Sequence, residues 1–202
     1  IGDFMLLKRK KESRKSSAKL EAPTAGVSSV FKIKQEQRIV QLPDFKDKDK
    51  IDVKYPLMEP YVYVRIYWDP REHELIYEVH EPALSEDEKK VLDILEKGIE
   101  ELINISFIGL KNPDIVIQYL EKNMRILLSE FHIKIAEDSF LKLMYYVYRD
   151  FVGLNEIEPM MRDFYIEDIE CNGLKTPIYI VHRKYRNLRT NIIFNDIKEL
   201  TG

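Results

Sequence analysis

The apolar spacing of this chain changes twice, and those two changes limit its architecture more than any other feature. From Tyr61 to Glu81 it reads YVYVRIYW, DPREH, ELIYEVHE. Two runs rich in β-branched and aromatic residues flank a turn, which predicts a β-hairpin. From Ser85 to Phe151 apolar residues recur three and four apart, as a buried helical stripe requires. After Gly153 the runs YIEDIEC (165–171), PIYIVHR (177–183) and LRTNIIF (188–194) return to strand-like patterning. Strands, then helices, then strands, with no βαβ alternation, predict an α+β fold. Three segments are expected: a basic head and linker (1–54), a β-hairpin plus three-helix bundle (55–153), and a small antiparallel-sheet domain (154–202).

The helix boundaries are written locally. Ser85 and Glu88 fit a capping box, in which each side chain satisfies a free amide of the first turn. Val91, Leu92, Leu95, Ile99, Leu102 and Ile103 form the first stripe. Asn112-Pro113 opens the second helix, with Asn as cap and Pro at the first helical position. Its apolar face runs Val116, Tyr119, Leu120, Met124, Leu127, Leu128 and Phe131. The third helix starts near Asp138 and carries Phe140, Leu141, Met144, Tyr145, Tyr148 and Phe151. Gly153 is expected to end it as a left-handed cap. Short loops between three helices predict a packed bundle.

Upstream, VFKIKQEQRIV (30–40) fits either a short strand or a marginal helix, and PDFKDKDKIDVKYP (43–56) reads as a mixed-charge linker. The formal net charge of −3 hides a split: residues 1–54 hold 14 Lys/Arg against 8 Asp/Glu, and the remainder holds 18 against 27. The head contains FMLLKRKKESRK. Lys8, Arg9, Lys10 and Lys11, behind the apolar Phe4, Met5, Leu6 and Leu7, suit either an anionic membrane surface or a solvated tail. A single cysteine fits a reducing cytoplasm, and no apolar run approaches the roughly 20 residues of a membrane span. NDIKELTG at the end begins a helix that the sequence barely continues, so the chain reads as part of a longer protein.

The stretch LNEIEPMMRDFYIEDIECNG (154–173) holds six carboxylates, the one cysteine and an Asn-Gly turn signal. Catalysis by a carboxylate pair needs a desolvated facing pair, but Glu167 and Asp168 point to opposite sides of a strand. Cys171 and His182 can meet across a hairpin, yet two ligands do not make a zinc site. The sequence holds no Gly-rich phosphate loop. Asp163 suits a turn, Asn172-Gly173 closes a hairpin, and Asp168 can hold backbone amides or an arginine, either Arg149 or Arg162. Tyr61, Tyr63 and Tyr67 on the hairpin, joined by Tyr77, suit base stacking or a covered sheet face; the acidic body argues against nucleic acid. HRKYRNLR (182–189) places Arg183, Lys184, Arg186 and Arg189 on one turn, either as a solvated hairpin end or as a contact for carboxylate or phosphate.

The block YYVYRDFVGLNEIEPMMRDFYIEDIECNGLKTPIYIVHRKYRNLRTNIIF (145–194) resembles the N-terminal domain of the archaeal type II/IV secretion superfamily ATPases, the hexameric motors of the archaellum and of type IV pilus assembly. The upstream YPLMEPYVYVRIYWD and YEVHEPALSEDEK also look like that family, so the resemblance covers about residues 55–200. It implies a partner-binding, force-transmitting domain that packs on its own RecA-like ATPase domain and on neighbouring subunits. It further implies contacts with a membrane platform protein and cytoplasmic motor components, at the cytoplasmic face of the membrane. ATP and magnesium would belong to the parent protein, whose phosphate loop this chain lacks; no catalytic residue and no cofactor is expected here. Within the resemblance, Asp163, Glu167, Asp168 and Asn172-Gly173 are structural signature residues. Arg162, Asp163, Asp168, Arg183, Arg186 and Arg189 are the candidate interface residues. A stand-alone, non-catalytic adaptor that binds a membrane platform or motor is the alternative.

Overall fold

The computed structural model describes residues 29–34, 39–44, 46–102 and 112–195. Strands β1 (Asp52–Met58), β2 (Val62–Asp69) and β3 (Glu74–His80) come first. Helices α1 (Glu86–Leu102), α2 (Pro113–Glu130) and α3 (Glu137–Phe151) follow, then a short α4 (Glu158–Met161). Strands β4 (Ile166–Glu170), β5 (Pro177–His182) and β6 (Arg186–Ile193) complete the described chain. The fold is α+β. The capping box forms as the sequence predicts: the Ser85 amide donates to Glu88 Oε2 and the Glu88 amide to Ser85 Oγ. Asn112 Oδ1 caps α2 by accepting from the Asp114 amide at 2.9 Å.

Two features depart from the sequence reading. The first is β1, which lies where a linker is expected. Its charged residues are the outward half of a strand at the sheet edge, and Tyr55 and Met58 enter the core. Asp52 is clamped by Arg65 of β2 through two hydrogen bonds of 2.8 and 2.7 Å. Charges and a proline on an edge strand discourage pairing with other chains, and they also disguise the strand as a linker.

The second is that the early and late strands form one six-stranded sheet, ordered β1-β2-β3-β6-β5-β4. All pairs are antiparallel except β3 with β6, which run parallel through Ile76 with Arg189 and Tyr77 with Thr190. Asn191 extends that short ladder with its side chain: the Val79 amide donates to Oδ1 and Nδ2 donates to the Val79 carbonyl. The late strands are therefore continuous with the hairpin and not a separate sheet.

One face of this sheet is the core: Val62, Val64 and Ile66 of β2, Tyr77 of β3, Ile178 and Ile180 of β5 and Leu188 of β6 are all buried. Tyr63 and Tyr67 alternate with the β2 core residues and so lie on the other face, while Tyr77 is on the core side and Tyr61 stacks on Phe31 and Tyr145. The four hairpin tyrosines therefore do not share a surface. α3 is buried most completely, with Phe140, Leu143, Met144, Tyr145, Val147 and Tyr148 in the core. In α1 only Leu95 and Ile99 are fully buried; Leu102 is exposed and Ile103 lies outside the described residues. Residues 30–34, 39 and 40 form neither strand nor helix.

Gly153 is not a left-handed cap: Gly173 is the glycine with positive φ, at 128°, among the described residues. Gly153 is required for its size. A Cβ there would lie 2.7 Å from both the Arg149 carbonyl oxygen and Glu158 Cγ. The left-handed residue after α3 is Asn155, at φ 52°.

Candidate functional site: the cleft below the acidic segment

The segment that carries six carboxylates folds around one cleft of about 690 Å³. The end of α3 supplies Asp150; the following turn supplies Leu154 and Ile157; α4 supplies Met160 and Met161. β4 supplies Ile166, Asp168 and Ile169, and Ile178 and Phe194 form the rest of the apolar wall. Leu154 and Met161 are 50% and 53% exposed, which puts open apolar surface at the mouth. Cys171 lines the cleft and is exposed.

Three buried networks hold this cleft in shape. Asp163 is its junction. Oδ2 accepts from the hydroxyls of Tyr55 and Tyr77, each at 2.7 Å, and Oδ1 accepts from the Tyr165 amide at 2.8 Å. One carboxylate thereby ties β1 and β3 to the loop that enters β4. A buried carboxylate is tolerated because its lone pairs are used by charge-assisted hydrogen bonds. Burial, reinforced by the Asp163 charge, pushes both tyrosine hydroxyls well above their ordinary range.

Arg149 is the second junction. Its Nη1 donates to both oxygens of Glu81, at 2.9 and 3.1 Å, and its Nε donates to Asp150 at 2.6 Å. Glu156 lies 3.5 Å from Nη2. Next to this group, on α1, burial and then the neighbouring Asp150 carboxylate push Glu96 up to about 7. Arg162 closes the third network by donating to Glu158 at 2.5 Å and to Tyr148 Oη at 3.3 Å, while Glu158 accepts the Leu154 amide.

His182, at the end of β5, is buried between Tyr165 and Tyr185 with ring centroids 5.4 and 5.0 Å away. Its Nδ1 accepts from the amides of Lys184 and Tyr185, which places the proton of the neutral ring on Nε2. Burial, with the Lys184 charge, lowers it to about 4. Residues 40–43 cross this corner as a strap: Tyr165 Oη donates to the Val40 carbonyl, Lys184 Nζ to Leu42 and Tyr185 Oη to Pro43.

The candidate interface residues are thus not one cluster. Asp163 is buried and Arg162 is engaged by Glu158 and Tyr148. Asp168 is exposed on β4, its Oδ1 accepting the next amide, that of Ile169, rather than an arginine. Arg183 is exposed and lies over the Phe164 ring at 4.5 Å. Arg186 is exposed at φ 62°. Arg189 faces Glu72 and Glu74 at 3.6 and 3.5 Å, on the turn between β2 and β3. Lys8, Arg9, Lys10 and Lys11 lie outside the described residues. Cys171 and His182 do not meet, since His182 pairs with Ile166 at the far end of β4. Sequence reasoning missed Tyr55, Glu81 and Glu96, whose partners are far away in the chain.

The sequence has no phosphate loop, and no group of three or more His, Cys, Asp or Glu among the described residues could hold a metal ion. No helix among them is long and apolar enough to cross a membrane.

No family model matches the chain. The uncharacterized protein MJ1288 of Methanocaldococcus jannaschii is 30% identical over 124 residues, which is 61% of this chain and 49% of that protein. The uncharacterized protein MJ0900 of the same organism is 41% identical over 68 residues, 34% of this chain and 12% of that protein. The chain spans about half the length of the first relative and about an eighth of the second.

Proposed function

We propose that this chain is the N-terminal, partner-binding and force-transmitting domain of a hexameric archaeal secretion or filament-assembly ATPase. The observation that carries the reading is where the resembling residues lie. The block 145–194 is not scattered: it builds one wall of the cleft, both its arginine junctions, and the β5–β6 turn that exposes Arg183 and Arg186. A domain that passes displacement between a partner and a motor needs such stiffness. Its sheet is continuous from edge to edge, and its loops are pinned by buried, satisfied charges. The match to MJ0900 adds support, since about seven-eighths of that protein lies outside the matched stretch. In this reading the chain works at the cytoplasmic face of the membrane. ATP and magnesium belong to the rest of the parent protein.

Arg183 and Arg186 are the residues assigned to a neighbouring subunit or to the ATPase domain, because planar guanidinium groups pair with carboxylate or phosphate in two directions. Arg189 is occupied within the chain by Glu72 and Glu74. The test replaces Arg183 and Arg186 by alanine in the full-length parent. The isolated domain is expected to keep its stability within about 0.5 kcal/mol, while hexamer assembly or ATP turnover falls. Full assembly and full turnover in both variants would overturn this assignment.

A stand-alone adaptor is the second reading, and MJ1288 favours it. The match leaves only about as many residues again in that relative, less than the roughly 250 that a RecA-like domain takes within the usual range of domain sizes.

A further inference from the structure

A bulge in β4 rearranges the acidic segment. Ile166 pairs with His182 and Asp168 with Val181, so two steps along β4 match one along β5. An extra residue of this kind breaks strand alternation and re-aims the side chains around it. Glu167 and Asp168, which strict alternation sends to opposite sides, both line the cleft, and both are exposed. Their charges are not neutralised from within the chain. Neither makes an ion pair among the described residues; Asp168 Oδ1 accepts the Ile169 amide. The arginines on either side of the segment are occupied, Arg149 by Glu81 and Asp150 and Arg162 by Glu158. No lysine or arginine lines the cleft among the described residues.

Beside this pair the wall is apolar and open. Leu154 and Met161 are exposed, and Ile166 and Ile169 are half-buried. Exposed apolar surface gathered in one concavity and rimmed by polar groups marks an interaction site. Met161 adds a flexible, polarizable side chain that conforms to partners of varied shape. The unpaired carboxylates repel anionic ligands and anionic surfaces and favour a cation. A volume of about 690 Å³ is far more than one metal ion or one ammonium group fills, so the apolar wall calls for carbon side chains as well.

We propose that the cleft docks a cationic, apolar segment of a separate polypeptide. A few large aliphatic or aromatic side chains of that segment lie against Leu154, Met161, Ile166 and Ile169, and its lysines or arginines pair with Glu167 and Asp168. The apolar wall supplies the contact area. The carboxylate pair selects the partner, because like charge placed across an interface is rejected. The inference rests on the partner-binding reading, in its motor or its adaptor form, and names the chemistry of what binds.

The test titrates the full chain, ¹³C-methyl-labelled at methionine, with three synthetic peptides of equal length: leucine–lysine, leucine–glutamate and serine–lysine. The leucine–lysine peptide is expected to shift the Met161 methyl signal, assigned by Met161→Leu. It should leave the signals of Met124 and Met144, which are fully buried, in place. The other two peptides are expected to bind about tenfold more weakly or worse. Glu167→Lys with Asp168→Lys should weaken the leucine–lysine peptide about tenfold and make leucine–glutamate the better ligand. Leu154→Ser should weaken both. Urea unfolding checks that each variant is folded; Glu167→Gln with Asp168→Gln serves if the double reversal is not, with a smaller loss expected. An unmoved Met161 signal would overturn the proposal. So would equal binding of serine–lysine, which leaves plain surface charge, or of leucine–glutamate, which leaves an apolar groove without charge selection. A Met161 shift on concentrating the chain alone would assign the cleft to a second copy and overturn it too. The titration needs only this chain, so a failed titration beside impaired Arg183 and Arg186 variants of the parent strikes the cleft and leaves the partner-binding reading standing.

Discussion

Glu96 and His182 set opposing pH dependences within one fold, and replacing Glu96 by glutamine should expose the opposition. Glu96 is raised from an ordinary value of 4.5 to about 7, first by burial and then by Asp150, with Asp93 adding to the effect and Arg149 opposing it. The folded chain thus holds this proton more tightly than the unfolded chain does. Between pH 4.5 and 7 folding takes up a proton, and stability falls as the pH rises. His182 is lowered from 6.5 to about 4. Here the unfolded chain binds the proton more tightly, so stability is present above pH 6.5 and is lost as the pH falls toward 4. Each difference spans about 2.5 pH units, or about 3 kcal/mol at 1.36 kcal/mol per unit. In the overlap, from pH 4.5 to 6.5, the two contributions nearly cancel. Glu88, lowered to about 2 by the Ser139 hydroxyl and the Ser85 amide, acts below that window.

The wild-type chain should therefore have a nearly flat stability profile between pH 4.5 and 6.5. Glu96→Gln keeps a side-chain donor for Asp150 and removes the titration. The variant should match the wild type near pH 4.5 and gain progressively, to about 3 kcal/mol, above pH 7. Its own profile should then rise with pH because the histidine is no longer opposed. Urea unfolding followed by circular dichroism, with the slope m checked for constancy, measures both profiles. A difference between the two proteins that does not change with pH, or a variant less stable than the wild type at pH 8, would refute the reasoning.

Asp163→Ala leaves two buried tyrosine hydroxyls and one amide without their acceptor, at about 1–3 kcal/mol each. The expected loss is about 3 kcal/mol or more in urea unfolding, smaller in a Tyr77→Phe background by about 1 kcal/mol or more. Gly153→Ala drives a Cβ toward the Arg149 carbonyl and Glu158; a loss of about 1–3 kcal/mol, typical of overpacking, is expected in the same assay. Calorimetry of the chain with ATP and magnesium should show no micromolar binding, since the phosphate loop and the magnesium ligands of such sites are not present in its sequence.

What the sequence reveals and what it hides divides by the separation of the interacting residues. The Ser85–Glu88 box and the Asn112 cap act within four residues, and both form as read. The turn role of Asp163 is also local, through the Tyr165 amide two residues on. Its larger role is not: Tyr77 is 86 residues away and Tyr55 is 108. Glu81 stands 68 residues from Arg149. No spacing rule brings such pairs together before the sheet order is known. In that order β6 joins β3 through a short backbone ladder, which the Asn191 side chain extends to Val79. The hidden strand β1 has the same cause: Asp52 and Lys54 look like linker charges until Arg65 and the ring of Tyr63 are beside them. The acidic segment is the product of both scales. Its turns and its strand could be read from spacing, but the cleft they line also rests on long-range junctions: Asp163 ties it to Tyr55 of β1 and Tyr77 of β3, and Arg149, beside Asp150, ties the end of α3 to Glu81.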